Sequence, residues 1–184
     1  IDTVRTNNGL RTITGLAFEP GSTPNNMALW VTHSAYATEN APDWSGKVSR
    51  LSGPNLDVYQ DYVVGLPRSV RDHLTNQVSF GPDGAIYIGQ ASNNSMGAPD
   101  PIWGNRPERL LSGAILRLDT AALANQVNAG GGPLNAQTEE TATPYNPWAP
   151  GAPLTLYATG LRNVFNPIWM SNGQLYAPTN GSAA

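Results

Sequence analysis

One pattern, written twice and begun a third time, limits what this chain can fold into. Gly46-Lys47-Val48-Ser49-Arg50-Leu51 returns as Gly113-Ala114-Ile115-Leu116-Arg117-Leu118, and Tyr62-Val63-Val64-Gly65-Leu66 returns as Tyr157-Ala158-Thr159-Gly160-Leu161. Each pair follows two short apolar runs joined by a turn, Gly15 to Pro20 with Ala28 to His33, and Gln77 to Phe80 with Ala85 to Gln90. The second turn is Pro82-Asp83-Gly84, in which Pro presets φ and Gly supplies the position with φ above zero. Asn166 to Asn180, reading NPIWMSNGQLYAPTN, opens a third copy. Runs this short, rich in β-branched and aromatic residues and alternating with period two, are strand patterns. Four strands per unit, repeated with variable loops, predict an all-β chain, a β-propeller of four-stranded antiparallel blades.

The blade-like units cover about residues 15–66 and 77–161, with a third beginning at 166 and no separate second domain. A propeller closes with roughly 4 to 8 blades, so residues 1–184 are expected to form an arc, about half of a six-bladed ring. The rest of the propeller, or a second chain, would complete it. The 19 Gly and 16 Pro favour turns over long helices. Ile1 to Leu10 is polar and is assigned no structure, and two loop-like insertions, Ala91 to Leu111 and Thr120 to Pro153, lengthen the second unit. Ala121 to Asn128 is expected to form one short helical turn.

With a formal charge of −3 and 12% charged residues, the chain has no basic surface of the kind nucleic acid requires. No apolar run reaches the roughly 20 residues of a membrane span. The absence of cysteine leaves His, carboxylates, Arg, hydroxyls or a bound cofactor to carry any chemistry. GxSxG, P-loop, HExxH and GxGxxG patterns are all absent, which argues against the chemistries they mark.

Where blades repeat, equivalent positions converge on one mouth of the central channel. Aligned on Phe18, Phe80 and Trp169, the position seven residues earlier holds Arg11, His73 and Arg162. Three cationic or protonatable groups in register suit an anionic ligand or an oxyanion, with Thr12, Thr14, Thr75, Asn76 and Asn163 as neutral polar neighbours. His73 alone has an ordinary pKa near neutrality, about 6.5, and is the candidate base. His33 reads first as a strand-end residue, its repeat equivalents being Gln90 and Thr179. Asn93 and Asn180 fall in N-x-S sequons, and Ser92 to Asp100 lacks the spacing of a calcium loop.

The blocks RDHLTNQVSFGPDGAIYIGQ, SGAILRLD and LYATGLRNVFNPIWMSNGQLY, in that order, resemble the glucose/sorbosone dehydrogenase family, whose soluble glucose dehydrogenases are six-bladed propellers using pyrroloquinoline quinone (PQQ) and calcium. The resemblance implies that His73 is the general base taking the proton of a sugar hydroxyl as hydride passes to the quinone. It places Arg162 and Asn163 at the cofactor and substrate, on the channel mouth where the repeat register puts Arg11 and Asn76 as further substrate-binding candidates. It further implies a sugar or other polyol substrate, an extracellular or periplasmic location, and a calcium loop downstream of Ala184, with no metal ligand inside this chain. Ser92 stands where those dehydrogenases carry an acidic residue, so sugar contacts differ. The rival readings are a non-catalytic carbohydrate- or protein-binding propeller and a calcium-dependent lactonase-like propeller hydrolase.

Overall fold

The computed structural model describes residues 1–181. The chain is predominantly β, built of antiparallel sheets of which none closes on itself. The first unit comprises β1 (Arg11–Phe18), β2 (Ala28–Ala35), β3 (Gly46–Ser52) and β4 (Val58–Leu66), paired in sequence order. The second comprises β5 (Thr75–Phe80), β6 (Ile86–Gln90), β7 (Ala114–Leu118) and β9 (Leu154–Thr159), paired the same way. Between β7 and β9, the insertion forms α2 (Thr120–Gln126) and the two-residue strand β8 (Leu134–Asn135), which reaches back to pair in parallel with β4. A third hairpin, β10 (Ile168–Trp169) and β11 (Leu175–Tyr176), ends the described chain.

The repeat seen in the sequence is a repeat of geometry. Ile13 faces His33 and Phe18 faces Leu29, so five steps along β1 meet four along β2. Thr75 faces Gln90 and Phe80 faces Ile86, again five against four. Val164 faces Thr179 and Trp169 faces Leu175, five against four once more. Each unit therefore carries one bulge at the same place, where an extra residue re-aims the chain just beyond it. The YxxGL motif has an equally local cause: Gly65 and Gly160 sit at φ of 73° and 79°, Gly65 within the register shift where β4 leaves β3, and Gly160 just past β9, between Thr159, which faces Ala114, and Leu161, whose amide donates to the Gly113 carbonyl. A side chain is strained at such φ, and glycine is not.

Packing repeats too. The first sheet turns Trp30, Val48 and Tyr62 toward the second, where they meet Val78, Ile86, Ile88 and Leu116 in the main core, closed by Leu123 of α2. The second sheet turns the equivalent Tyr87 and Ile115 toward Val164 and Trp169 of the third unit. Trp30 meets Tyr62 edge-on at 4.6 Å, and Tyr87 meets Tyr157 edge-on at 4.9 Å, the same contact one unit later. Strand β6 is sandwiched between the two interfaces, which is why all five of its residues are buried. On its third-unit side the residue is Gly89, where a Cβ would run into the Val164 carbonyl.

Ile1 to Leu10, given no structure from sequence, contains α1 (Asp2–Asn8). The correction has a tertiary cause: Val4 is buried against Val31 and Leu51 on the far face of the first sheet, and Thr3 Oγ1 donates to the Leu56 carbonyl at 2.9 Å. The helical turn expected at Ala121 to Asn128 is α2, started by Asp119, whose side chain accepts from the Ala122 amide. No helix among the described residues is long and apolar enough to cross a membrane.

Candidate functional site

His73 lies on the approach to β5, and a serine shapes that approach. Ser69 Oγ accepts the backbone N–H of Arg71 at 3.1 Å and of His73 at 3.0 Å, while the Ser69 amide donates to the His73 carbonyl at 3.2 Å. This closes a tight loop that delivers the imidazole inward, 2% exposed and 4.4 Å from the Trp103 ring. Its Nδ1 lies 3.0 Å from both the carbonyl and the hydroxyl oxygen of Ser92. A carbonyl can only accept, so Nδ1 carries the hydrogen and Nε2 the lone pair. Among the described residues nothing hydrogen-bonds Nε2. Burial lowers the His73 pKa, and the Arg162 charge lowers it further, against the Ser92 bond, Asp72 and Glu108, which raise it. The imidazole is neutral and basic at one nitrogen.

Arg162 and Asn163 arrive from the end of β9 at the same place. Ser92 N–H donates to the Arg162 carbonyl at 2.8 Å, and Asn76 Nδ2 donates to Asn163 Oδ1 at 2.7 Å and to the Val164 carbonyl at 3.0 Å. Arg162 Nε donates to the Ser95 carbonyl at 2.6 Å, and Nη1 to that of Asn180 at 3.4 Å. No carboxylate among the described residues pairs with it. His73, Asn76, Arg162 and Asn163 are thus brought together by the second and third units.

Arg11, the repeat equivalent of His73, is spent inside its own unit. Its Nε donates to His33 Nδ1 at 2.9 Å and its Nη2 to the Ser45 carbonyl at 2.5 Å. His33 is fully buried rather than a simple strand end. Its Nε2 reaches Ser49 Oγ at 2.9 Å and Tyr59 OH at 3.2 Å, and both hydroxyls donate to Asp61, which Lys47 pairs at 2.8 Å. Burial first, then Arg11, pushes the His33 pKa down to about 3. Arg68, buried at 1% exposure, donates to the Ser69 and Ala37 carbonyls.

A cavity of about 540 Å³ opens beside this group, lined by Ser92, Met96, Glu108, Ser112, Leu161 and Arg162 among others. Glu108 was not marked by any sequence pattern. Its carboxylate accepts the Asn93 and Asn94 amides at 2.8 and 3.1 Å and the Ser112 hydroxyl, so it is fixed as an acidic group in the lining of a cavity that Arg162 also lines. The only sequence signal was its place four residues before the SGAILRL block that begins at Ser112. The Asn93 sequon is fully buried, its amide donating to the Pro107 carbonyl at 3.0 Å, and is closed to modification in the folded chain. The Asn180 sequon runs into Ser182, outside the described residues.

Among the described residues no three His, Asp or Glu side chains gather as a metal cage would require. No family model matches the sequence, and no curated protein matches it.

Proposed function

We propose that the chain is an arc of a β-propeller and part of a PQQ-dependent sugar dehydrogenase, with His73 as the general base. The observation that carries the reading is the state of His73: buried, neutral, held at Nδ1 and open at Nε2, one residue contact from a cavity bearing Arg162. The propeller reading is supported by the shared bulge and the repeated interface. Tyr176 is equivalent by register to Trp30 and Tyr87 yet is 50% exposed, as expected of a sheet face awaiting its next neighbour. A groove of about 540 Å³ lined by Tyr157, Trp169 and Tyr176 lies between the second sheet and the third hairpin.

In this reading His73 Nε2 accepts the proton of a sugar hydroxyl, a step that requires the neutral imidazole that burial and Arg162 favour. Arg162, with no carboxylate partner among the described residues, and the Asn163 amide fit the carboxylates of PQQ, which when bound supplies the hydride acceptor. In the same reading Glu108 and Ser92, both in the cavity lining, receive sugar hydroxyls. Calcium has no carboxylate cage within the described residues, and no step is assigned to it.

The test is turnover of an aldose by the full-length protein with PQQ, calcium and an artificial electron acceptor. His73→Gln is expected to lower kcat by about 10²- to 10⁴-fold, the range of a positioned base, with the fold retained. Turnover unchanged in the variant removes the assignment. Glycan binding without PQQ binding, by titration calorimetry, points to the binding propeller, and turnover of a lactone without quinone points to the hydrolase.

A further inference from the structure

We propose that Ser92 is the positioning residue of this site, holding His73 in the tautomer that carries its hydrogen on Nδ1 while giving it no charged partner. Ser92 lies two residues past the end of β6 and is 5% exposed. Its own hydroxyl hydrogen is committed to the Asn94 carbonyl at 2.7 Å, so Oγ can meet Nδ1 only as an acceptor. The Ser92 carbonyl, also 3.0 Å from Nδ1, is an acceptor in any state. Two acceptors on one nitrogen exclude the opposite tautomer, because a lone pair on Nδ1 would face two lone pairs. The Ser92 amide, donating to the Arg162 carbonyl, ties the same residue to the segment bearing the cation. One residue therefore fixes both the orientation of the base and its spacing from Arg162.

The neutrality of this partner has a consequence for pH. The charged groups facing His73 are Arg162 from the third unit, Asp72 on its own segment and Glu108 from the insertion, with the uncharged Trp103 ring beside it. None of the carboxylates bonds the imidazole, whereas Arg162 and burial oppose its protonation. Burial first, then Arg162, therefore holds the His73 pKa below the ordinary histidine value. A carboxylate at position 92 would reverse this, since an opposite charge within hydrogen-bond reach raises a histidine pKa by about 1 to 3 units.

The experiment is nitrogen-15 NMR of histidine-labelled full chain, in which His33 and His73 are the only histidines and His33→Gln assigns the signals. The expected result is His73 in the Nδ1–H form, titrating below 6.5. In Ser92→Asp the same tautomer is expected with the titration moved up by at least one unit, whereas Ser92→Ala, which keeps the carbonyl, leaves the tautomer in place. An Nε2–H signal for His73 in the unmodified chain overturns the proposal, as does a Ser92→Asp variant, folded by circular dichroism, whose His73 titrates unchanged. Should Ser92→Asp not fold, the tautomer of the unmodified chain still decides. The proposal draws its catalytic meaning from His73 as base. A His73→Gln variant with full turnover removes that meaning but leaves the NMR outcome intact, so the two failures are distinguishable.

Discussion

Replacing Asn76 with Ala removes the side chain that ties the second unit to the third. Asn76 is 2% exposed, and its Nδ2 donates to Asn163 Oδ1 and to the Val164 carbonyl. The two acceptors fare differently once it is gone. Asn163 is partly open, so water replaces the lost donor at little loss. Val164 is 0% exposed, and among the described residues no other donor reaches its carbonyl; leaving a buried acceptor unpaired costs about 1 to 3 kcal/mol. A loss near 2 kcal/mol is therefore expected, roughly 4 to 8 °C in Tm for a domain of this size. Urea denaturation followed by tryptophan fluorescence measures the total, and hydrogen exchange at Gln77, whose amide donates to the Phe165 carbonyl at 3.1 Å, reports the interface itself. Asn76→Ala within about 0.5 kcal/mol of the parent, the scatter of ordinary surface changes, would refute the view that this amide holds the third unit, and Arg162 with it, against His73.

Two further outcomes test the repeat and the buried network. Because His33 is held near a pKa of about 3 in the fold and is near 6.5 when unfolded, the unfolded chain binds the extra proton between those values. Its contribution to stability is therefore complete above pH 6.5 and is lost as pH falls toward 3. His33→Gln should flatten the difference between stability curves measured at pH 7 and pH 4, and parallel curves would contradict the assignment. Gly160→Ala should destabilise by about 1 to 2 kcal/mol from its left-handed backbone alone, its Cβ meeting nothing, while Gly65→Ala should exceed it because the added carbon presses on the Asn135 side chain. Equal urea midpoints for the two variants would show that β8 does not pack on β4 as described.

The parts of the fold legible in the sequence were those enforced by a local rule. Strand alternation, the Pro82-Asp83-Gly84 turn and the two positive-φ glycines each impose a residue type at a fixed spacing, so the unit pattern and the register of His73 with Arg162 could be read directly. The parts that escaped depend on distant partners. Helix α1 shows no apolar stripe and no side-chain cap; it is held by Val4 entering a patch made by β2 and β3. Strand β8 is two residues long and pairs with a strand about 70 positions earlier in sequence. Arg109 gathers Asp43, Glu139 and Glu140 from loops of both units, at 3.2, 2.8 and 2.6 Å, under no pattern a single sequence displays. Glu108 belongs to this class, since its place in the cavity depends on amides and a hydroxyl that only the folded insertion brings to it.

The two histidines show why position in the repeat does not by itself make a reactive group. Both are buried and both are held neutral. His33 accepts at Nδ1 from Arg11 and donates from Nε2 toward Ser49 and Tyr59, so its only lone pair is consumed by a cation and no proton can be received without breaking that bond. His73 is held the opposite way round: its Nδ1 hydrogen is consumed by Ser92, and the lone pair on Nε2 is left without a partner among the described residues. An arginine in Ser92's role would have made His73 a second His33. The donor or acceptor character of a single neighbour therefore separates an imidazole whose lone pair is consumed from one whose lone pair is left open, and the first unit, with Arg11 already bonded to its own histidine, keeps no such open lone pair.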